Sequence, residues 1–178
     1  MKKMILIIFG TIACLLLCAF AYYGGFEKIV IRKDTLGGET IVYKAVTGDY
    51  KQTMAVSDEV YIYLVNELKI EATQGIGVFY DDPKKVSKKN LRSEIGCVIT
   101  PKYLTLLNKS ECKYQIKTLP VESCITTEFP YKGLLSILIG SIKIYPAIEK
   151  YIKENKRTND SPLIEIYDIP NKKTIYRK

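Results

Sequence analysis

The feature that most constrains the fold of this chain is an internal repeat between residues 40 and 178. In each copy, a strand-like segment ends in a turn with Tyr-Lys, a helical pattern follows, and an apolar segment ends in Tyr-Asp-x-Pro. These turns lie at residues 50–51 and 80–83 in the first copy, and at residues 131–132 and 167–170 in the second. The repeat predicts one structural unit that occurs twice.

Hydrophobic periodicity predicts one helix in each copy of the repeat. Apolar residues recur at three- and four-residue spacing over 54–69, which predicts the first helix. In the second helix, the predicted apolar stripe consists of Leu134, Leu138, Ile142, Tyr145, Ile148 and Ile152. Pro146 cannot donate a hydrogen bond to the carbonyl of Ile142, so a kink or a new first turn is expected there.

A further strand pattern follows each Tyr-Asp-x-Pro turn, at residues 94–100 and 174–177. The predicted fold class is therefore α+β, a duplicated strand-helix-strand-strand unit that forms an antiparallel sheet with two helices. Neither copy can bury its apolar face alone, so both are expected to share one core.

The N-terminus predicts a membrane helix before this domain. Residues 4–23 carry no charge, follow Lys2 and Lys3, and end in Tyr22 and Tyr23. A helix of this length spans about 30 Å, the thickness of the hydrocarbon core of a bilayer. The predicted division is a basic N-terminus (1–3), a transmembrane helix (4–23), a juxtamembrane strand or linker (24–39) and the domain (40–178).

A cleaved signal peptide is the alternative for the apolar segment, because Ala19-Phe20-Ala21 resembles a cleavage site. The length of the segment and the aromatic pair at its end favour a retained anchor. The expected location is a bacterial cell membrane with the domain facing outward, or the ER membrane in a eukaryote.

Composition argues against several kinds of site. The chain has no histidine, which excludes Ser-His and Cys-His catalysis and makes a zinc site improbable. The net charge of +8 is spread along the chain without a nucleic-acid-binding motif, so no nucleic-acid partner is expected. No catalytic residue, metal ligand or cofactor is predicted.

Residues 76–83 and 90–97 resemble the signature of the GyrI-like (SHV2) family, which includes AraC-type effector-binding domains. The family pattern is a Tyr-x-(Asn/Asp)-Pro turn followed by a Leu-Arg-(Ser/Thr)-(Glu/Asp)-hydrophobic-Gly strand. Residues 129–131, 145–147 and 165–167 are similar to a membrane-anchored branch with bacterial members and testis-expressed protein 264. The resemblance implies the duplicated topology that the repeat predicts independently.

The resemblance also implies a ligand cleft on the pseudo-two-fold axis, with a buried acidic residue that meets cationic aromatic compounds. That residue is Glu165. The residues themselves single out the same position, because Leu163, Glu165 and Tyr167 share one strand face and Val78 occupies the matching position in the first copy. If the face is enclosed, burial should raise the pKa of Glu165 and make it a ligand anchor or general base. If the face is open, Glu165 is expected to pair with a cross-strand lysine.

Four tyrosines at repeat-related positions are the other candidate ligand-binding residues, namely Tyr50, Tyr80, Tyr131 and Tyr167. They could form flat walls for an aromatic ligand. The alternative is that they are core residues with their hydroxyls at the surface, which is favoured for Tyr80 and Tyr167.

The predicted function is a membrane-tethered domain that binds small hydrophobic or cationic aromatic molecules. The alternative is a membrane-anchored adaptor for protein partners, as in receptors like testis-expressed protein 264. A hydrolase that uses a water held by Glu165 and a tyrosine ranks third.

Overall fold

An eight-stranded antiparallel sheet is the framework of the protein. The computed structural model describes residues 2–109, 112–158 and 160–178. The helices are α1 (Lys2–Tyr22), α2 (Thr53–Ile62), α3 (Leu104–Lys109) and α4 (Leu134–Glu154). The strands are β1 (Arg32–Leu36), β2 (Thr40–Thr47), β3 (Gln74–Phe79), β4 (Arg92–Ile99), β5 (Gln115–Thr118), β6 (Glu122–Pro130), β7 (Leu163–Asp168) and β8 (Lys173–Arg177). Their order across the sheet is β1-β6-β8-β7-β3-β4-β2-β5.

The sheet confirms the predicted duplication. One half runs β2-α2-β3-β4 and the other runs β6-α4-β7-β8, so each half is a strand-helix-strand-strand unit. The halves join where β3 pairs with β7 in antiparallel register, with Ile76 opposite Ile166. Residues of both units therefore meet at the centre of the sheet.

The two halves exchange their edge strands. Each edge strand comes directly before one half in the chain but pairs with the other half. β1 precedes β2 in the chain but pairs with β6, and β5 precedes β6 but pairs with β2. β1 lies within residues 24–39, the predicted juxtamembrane strand or linker. The two connections meet, because the Leu119 carbonyl accepts from Gly38 N at 2.9 Å and Leu119 N donates to the Glu39 carbonyl at 2.9 Å.

The sheet buries apolar side chains on both faces. On one face, α2 and α4 cover separate clusters, one around Val60 and Leu64 and the other around Phe129, Ile144 and Tyr176. On the opposite face, a third cluster of buried residues consists of Ile41, Ile76, Leu119 and Ile166. The two faces of the sheet are thus packed in separate hydrophobic clusters.

The first predicted helix is present as α2, which continues into a π-helical turn at Tyr63–Glu67. The second is a continuous helix that includes Pro146, so no new first turn occurs at the proline. Its predicted apolar stripe is wrong in the first half, where Leu134, Leu138 and Ile142 are exposed.

Small residues explain this difference in α4. The face of α4 that packs on the sheet begins with Ser136 and Gly140 and continues with Ile144, Ile148 and Ile152. A Cβ at Gly140 would lie 3.0 Å from both the Phe129 ring and the Tyr176 hydroxyl. Glycine therefore allows the helix to approach the sheet more closely than a leucine stripe would.

α1 is exposed along its whole length and is apolar, with a mean hydropathy of 2.8 over its most apolar stretch. By length and composition it can cross a bilayer, and a signal sequence shares these properties. It ends at Tyr22, close to the predicted boundary at residue 23.

Candidate functional site

Glu165 is a fully buried acidic residue at the centre of the sheet. It lies in the middle of β7, on the face that α4 covers, and only 2% of its surface is exposed. Its cross-strand neighbours are Gly77 on β3 and Tyr176 on β8. The structure therefore encloses this carboxyl and places no cross-strand lysine opposite it on either described strand.

Two tyrosine hydroxyls bind the carboxyl group. Tyr145 of α4 donates to Oε1 and Tyr167 of β7 donates to Oε2. Burial raises the pKa of Glu165, and the two donated hydrogen bonds oppose that rise by favouring the ionised form. Burial and the nearby carboxylate also raise the pKa of both Tyr145 and Tyr167, so the tyrosines stay protonated as donors.

A cavity of about 620 Å³ lies between α2, the start of α4 and the centre of the sheet. This volume falls within the range of small-molecule sites. Tyr131, Tyr167, Phe79 and Ile137 contribute apolar walls, and Asp58 contributes a carboxylate. The rings of Tyr131 and Tyr167 meet edge to face, with their centroids 6.2 Å apart.

Two glycines on β3 form part of the cavity floor. Gly75 lies opposite Tyr167 and Gly77 lies opposite Glu165 in the β3–β7 pair. A Cβ built at Gly75 would make ordinary contacts of 3.5 Å with the Tyr167 ring. A Cβ at Gly77 would lie 2.6 Å from the Phe79 ring, so that ring occupies the space above Gly77.

Glu165 itself lines neither this cavity nor a smaller one of about 110 Å³, but each cavity is lined by one of the tyrosines that donate to its carboxyl. Tyr167 lines the larger cavity and Tyr145 lines the smaller, whereas Phe79 lines both. The two hydrogen-bond donors of Glu165 therefore connect the carboxyl to two separate spaces. Phe79 is the side chain that both spaces share.

The structure separates the four predicted tyrosines. Tyr131 and Tyr167 line the larger cavity. Tyr50 lines the smaller cavity, and its hydroxyl donates to the carbonyls of Asp81 at 2.9 Å and Arg92 at 3.1 Å. This geometry gives Tyr50 a structural role at the end of β3.

Tyr80 lies away from the cavities. It is 40% exposed and its hydroxyl accepts from Lys117 Nζ at 3.4 Å, beside the Lys117–Glu94 ion pair. The repeat places Tyr80 and Tyr167 at matching positions, yet only Tyr167 is enclosed. The favoured core role for Tyr80 is thus not what the structure shows.

Sequence reasoning missed Tyr145, Phe79 and Asp58 as parts of the site. Tyr145 was predicted only as a member of the helix stripe, although a hydroxyl on an otherwise apolar helix face needs a buried partner. The two glycines of Gly75-Ile76-Gly77 were a second available signal, because glycine within a strand marks a close approach or an open space. The sequence does not indicate that Asp58 belongs to the site, because it lies among the exposed residues of α2 as any surface carboxylate would.

The part of the chain that the structure describes contains no cluster of potential metal ligands. Among residues 2–109, 112–158 and 160–178, no group of three or more His, Cys, Asp or Glu side chains could hold a metal ion. Cys97 lines the larger cavity, but burial raises the pKa of its thiol to about 12, so it is protonated at neutral pH.

Comparison with known proteins confirms the predicted resemblance. The chain is a distant homologue of testis-expressed protein 264, with 26% identity to the human protein over 167 residues. This similarity covers 89% of the chain and 52% of the human protein. The mouse homologue is 26% identical over 159 residues, which cover 84% of the chain and 49% of the homologue. The chain thus spans about half the length of these curated relatives, and no family model matches it.

Solved structures show that the fold is GyrI-like. The EcmrR C-terminal domain has a TM-score of 0.58 and 12% identity, over 84% of this chain and 95% of that chain. SAV2435, solved bound to tetraphenylphosphonium, has a TM-score of 0.56 and 12% identity, over 83% of this chain and 92% of that chain. At 12% identity, these two structures show the shared fold.

Proposed function

We propose that this protein is a membrane-tethered binding domain for small hydrophobic molecules, above all cationic aromatic ones. The observation that carries the proposal is the enclosed carboxyl of Glu165, joined by Tyr167 to a cavity large enough for such a ligand. A buried carboxylate without a basic partner is costly, and a bound cation would supply the missing opposite charge.

The cavity walls suit the same class of ligand. The faces of Tyr131 and Tyr167 carry the negative part of the aromatic quadrupole, which attracts a cation and stacks on an aromatic ring. The remaining lining is largely apolar, with Ile76, Ile95 and Ile137 among its members. Tetraphenylphosphonium, a cation enclosed by aromatic rings, is bound by the structurally similar SAV2435.

Proton release should accompany the binding of a cation. Burial raises the pKa of Glu165 in the free protein, and a positive charge in the cavity favours the ionised carboxylate. Affinity for a cation should therefore increase as pH rises through the pKa of Glu165, whereas affinity for a neutral compound should not.

The anchor sets where this binding takes place. We assign α1 as a retained transmembrane helix that holds the domain at the outer surface of the cell membrane. The absence of a charged side chain over residues 4–23 supports this assignment. Alkaline extraction of membranes tests retention, and protease treatment of intact cells tests the side. Release by alkali or full protection from protease would contradict the assignment.

Calorimetric titration of the full chain in detergent micelles tests the binding proposal, with empty micelles as the reference. The probes are tetraphenylphosphonium and triphenylphosphine oxide, an aromatic compound without net charge. Glu165→Gln should weaken the binding of the cation by about tenfold or more, which corresponds to about 1.4 kcal/mol. The same variant should leave the affinity for the neutral compound nearly unchanged.

Asp58→Asn is the matched control, because Asp58 also lines the cavity but is exposed to solvent. Water screens an exposed charge, so its loss should weaken cation binding less than the loss of Glu165. An equal effect of both variants would place the recognition of charge at the cavity mouth. No binding of either probe would contradict the proposal and favour the adaptor function.

A further inference from the structure

The outer face of α4 changes character along its length. Its first half exposes the apolar side chains Leu134, Leu135, Leu138 and Ile142, which are 61%, 51%, 57% and 66% exposed. Its second half exposes Lys150 and Lys153 instead. We call the four apolar residues the α4 ridge. A contiguous apolar surface of this kind on a domain marks an interaction site.

The α4 ridge lies beside the end of the membrane helix. Lys143, next to Ile142, donates to the carbonyls of Gly24, Gly25 and Glu27 at 3.2, 2.7 and 2.6 Å. Lys132, two residues before Leu134, donates to the carbonyl of Tyr22 at 2.7 Å. Both ends of the ridge are thereby tied to the backbone where α1 stops.

These contacts also fix the height of the ridge relative to a bilayer. The Lys132 ammonium lies 4.5 Å from the centre of the Tyr22 ring, and tyrosine at the end of a membrane helix favours the headgroup level. The linker that follows exposes Phe26 and Val30, which add apolar surface at the same level. Lysines flank this surface and match anionic lipid headgroups in charge.

We propose that the α4 ridge is a membrane-docking surface, which inserts into the outer part of the bilayer that α1 spans and holds the domain against it. The occupant of the ridge is lipid. Continuity with the exposed apolar surface of α1 favours lipid over a second copy or a protein partner. The inference rests on the proposed retention of α1.

Docking would define the route of the ligand. Leu134 belongs to the ridge and also lines the larger cavity, whose lining includes the exposed side chains of Met54, Tyr61 and Ile169. With the ridge in the bilayer, this side of the cavity faces the headgroups. The ligand class is then a compound that partitions into membranes, such as a lipophilic cation, taken up from the lipid phase.

The sequence contains no tryptophan, so one introduced tryptophan is a clean probe of depth. The full chain is reconstituted into phosphatidylcholine vesicles with and without brominated acyl chains, which quench tryptophan on contact. Leu138→Trp places the probe on the ridge. Lys153→Trp places it on the basic half of the same helix, and Leu16→Trp places it in the span.

The proposal predicts strong quenching at positions 138 and 16 and little at position 153. Quenching at 16 but equally weak quenching at 138 and 153 would overturn the docked ridge while retaining the anchor. Quenching at none of the three positions would overturn both. A blue-shifted, unquenched probe at 138 would identify a protein-covered ridge, such as a contact with a second copy, and would also overturn the proposal.

The tetraphenylphosphonium titration keeps this test separate from the proposed function. Glu165-dependent binding together with an unquenched probe at 138 contradicts only the docked ridge. A quenched probe without any binding of tetraphenylphosphonium contradicts only the assignment of the cavity.

Discussion

Glu165 lies directly opposite Gly77 where β7 pairs with β3, so the buried carboxyl faces a position without a side chain. The Phe79 ring occupies the space above that glycine. An acidic residue at the centre of the sheet is accommodated because the glycine leaves space for the apolar Phe79 ring and the two tyrosine hydroxyls provide hydrogen bonds. This arrangement has measurable consequences for stability and binding.

Stability should depend on pH through Glu165. Its pKa in the folded protein is raised from 4.5, so over the interval above 4.5 the folded state binds more protons than the unfolded state. The free energy of unfolding must then fall as pH rises through that interval and level off above the folded pKa, by about 1.4 kcal/mol per pKa unit. Urea unfolding of the full chain in detergent should show a smaller fall for Glu165→Gln. Glu154→Gln, at an exposed carboxyl, is the control, and an unchanged pH slope in Glu165→Gln would contradict the enclosure of the carboxyl.

Tyr145→Phe should destabilise the protein more at high pH than at low pH. The substitution removes one of the two donors to the carboxyl, and a donor to an ionised oxygen is worth more than a donor to a neutral one. The expected loss in the free energy of unfolding is about 1–3 kcal/mol when Glu165 is ionised. Tyr50→Phe is the control, because that hydroxyl donates to backbone carbonyls. A loss that does not vary with pH in Tyr145→Phe would argue against its role as a donor to the carboxylate.

Gly75→Val should fill the larger cavity without disturbing the fold. A Cβ at this position makes contacts no shorter than 3.5 Å, and Gly75 lines the larger cavity, so a valine side chain would take up part of its volume. Binding of tetraphenylphosphonium should weaken by about tenfold or more, as calorimetry would show. Undiminished binding in Gly75→Val would locate the ligand elsewhere.

Gly77→Ala should instead destabilise the protein by about 1–3 kcal/mol, because its Cβ would lie 2.6 Å from the Phe79 ring.

Lys143→Met should loosen the junction between α1 and the domain. The lysine donates to three backbone carbonyls after α1, and methionine keeps the length of the side chain without the donors. Amide hydrogen exchange over residues 24–31 should accelerate by about tenfold, as measured by mass spectrometry of the full chain in micelles. Lys150→Met, on the exposed second half of α4, should leave this exchange unchanged. Equal protection in both variants would show that the lysine contacts do not order the junction.

The fold followed from the sequence because the repeat, the strand patterns and the α2 periodicity all point to the same unit. The orientation of α4 did not follow. An apolar stripe predicts the buried face of a helix only when water surrounds the rest, and here Leu134, Leu138 and Ile142 lie outside while Ser136 and Gly140 lie inside. Small residues on the packed face decide this geometry, and hydrophobicity alone does not report them.

The sequence predicted Glu165 as a site residue but did not distinguish the two repeat-related tyrosines. Glu165 stands out because a charge replaces the Val78 of the other copy at an apolar strand position. Tyr80 and Tyr167 have the same local sequence, yet Tyr80 follows the last residue of β3 and Tyr167 lies within β7. Both strands are six residues long, but β3 ends one residue before its tyrosine and β7 ends one residue after it. Strand ends are the least certain part of a sequence-based prediction.

The exchange of edge strands gives the domain a defined response to mechanical load. A pull on α1 reaches the sheet through β1, which is hydrogen-bonded to β6 and therefore belongs mechanically to the second half of the domain. The load enters at β1 and β6, in the half of the sheet that contains β7 and Glu165, while β2, the next strand along the chain, lies on the far side of the sheet. With α1 retained in the membrane as proposed, lateral tension or curvature would be transmitted first to the half that holds the buried carboxyl.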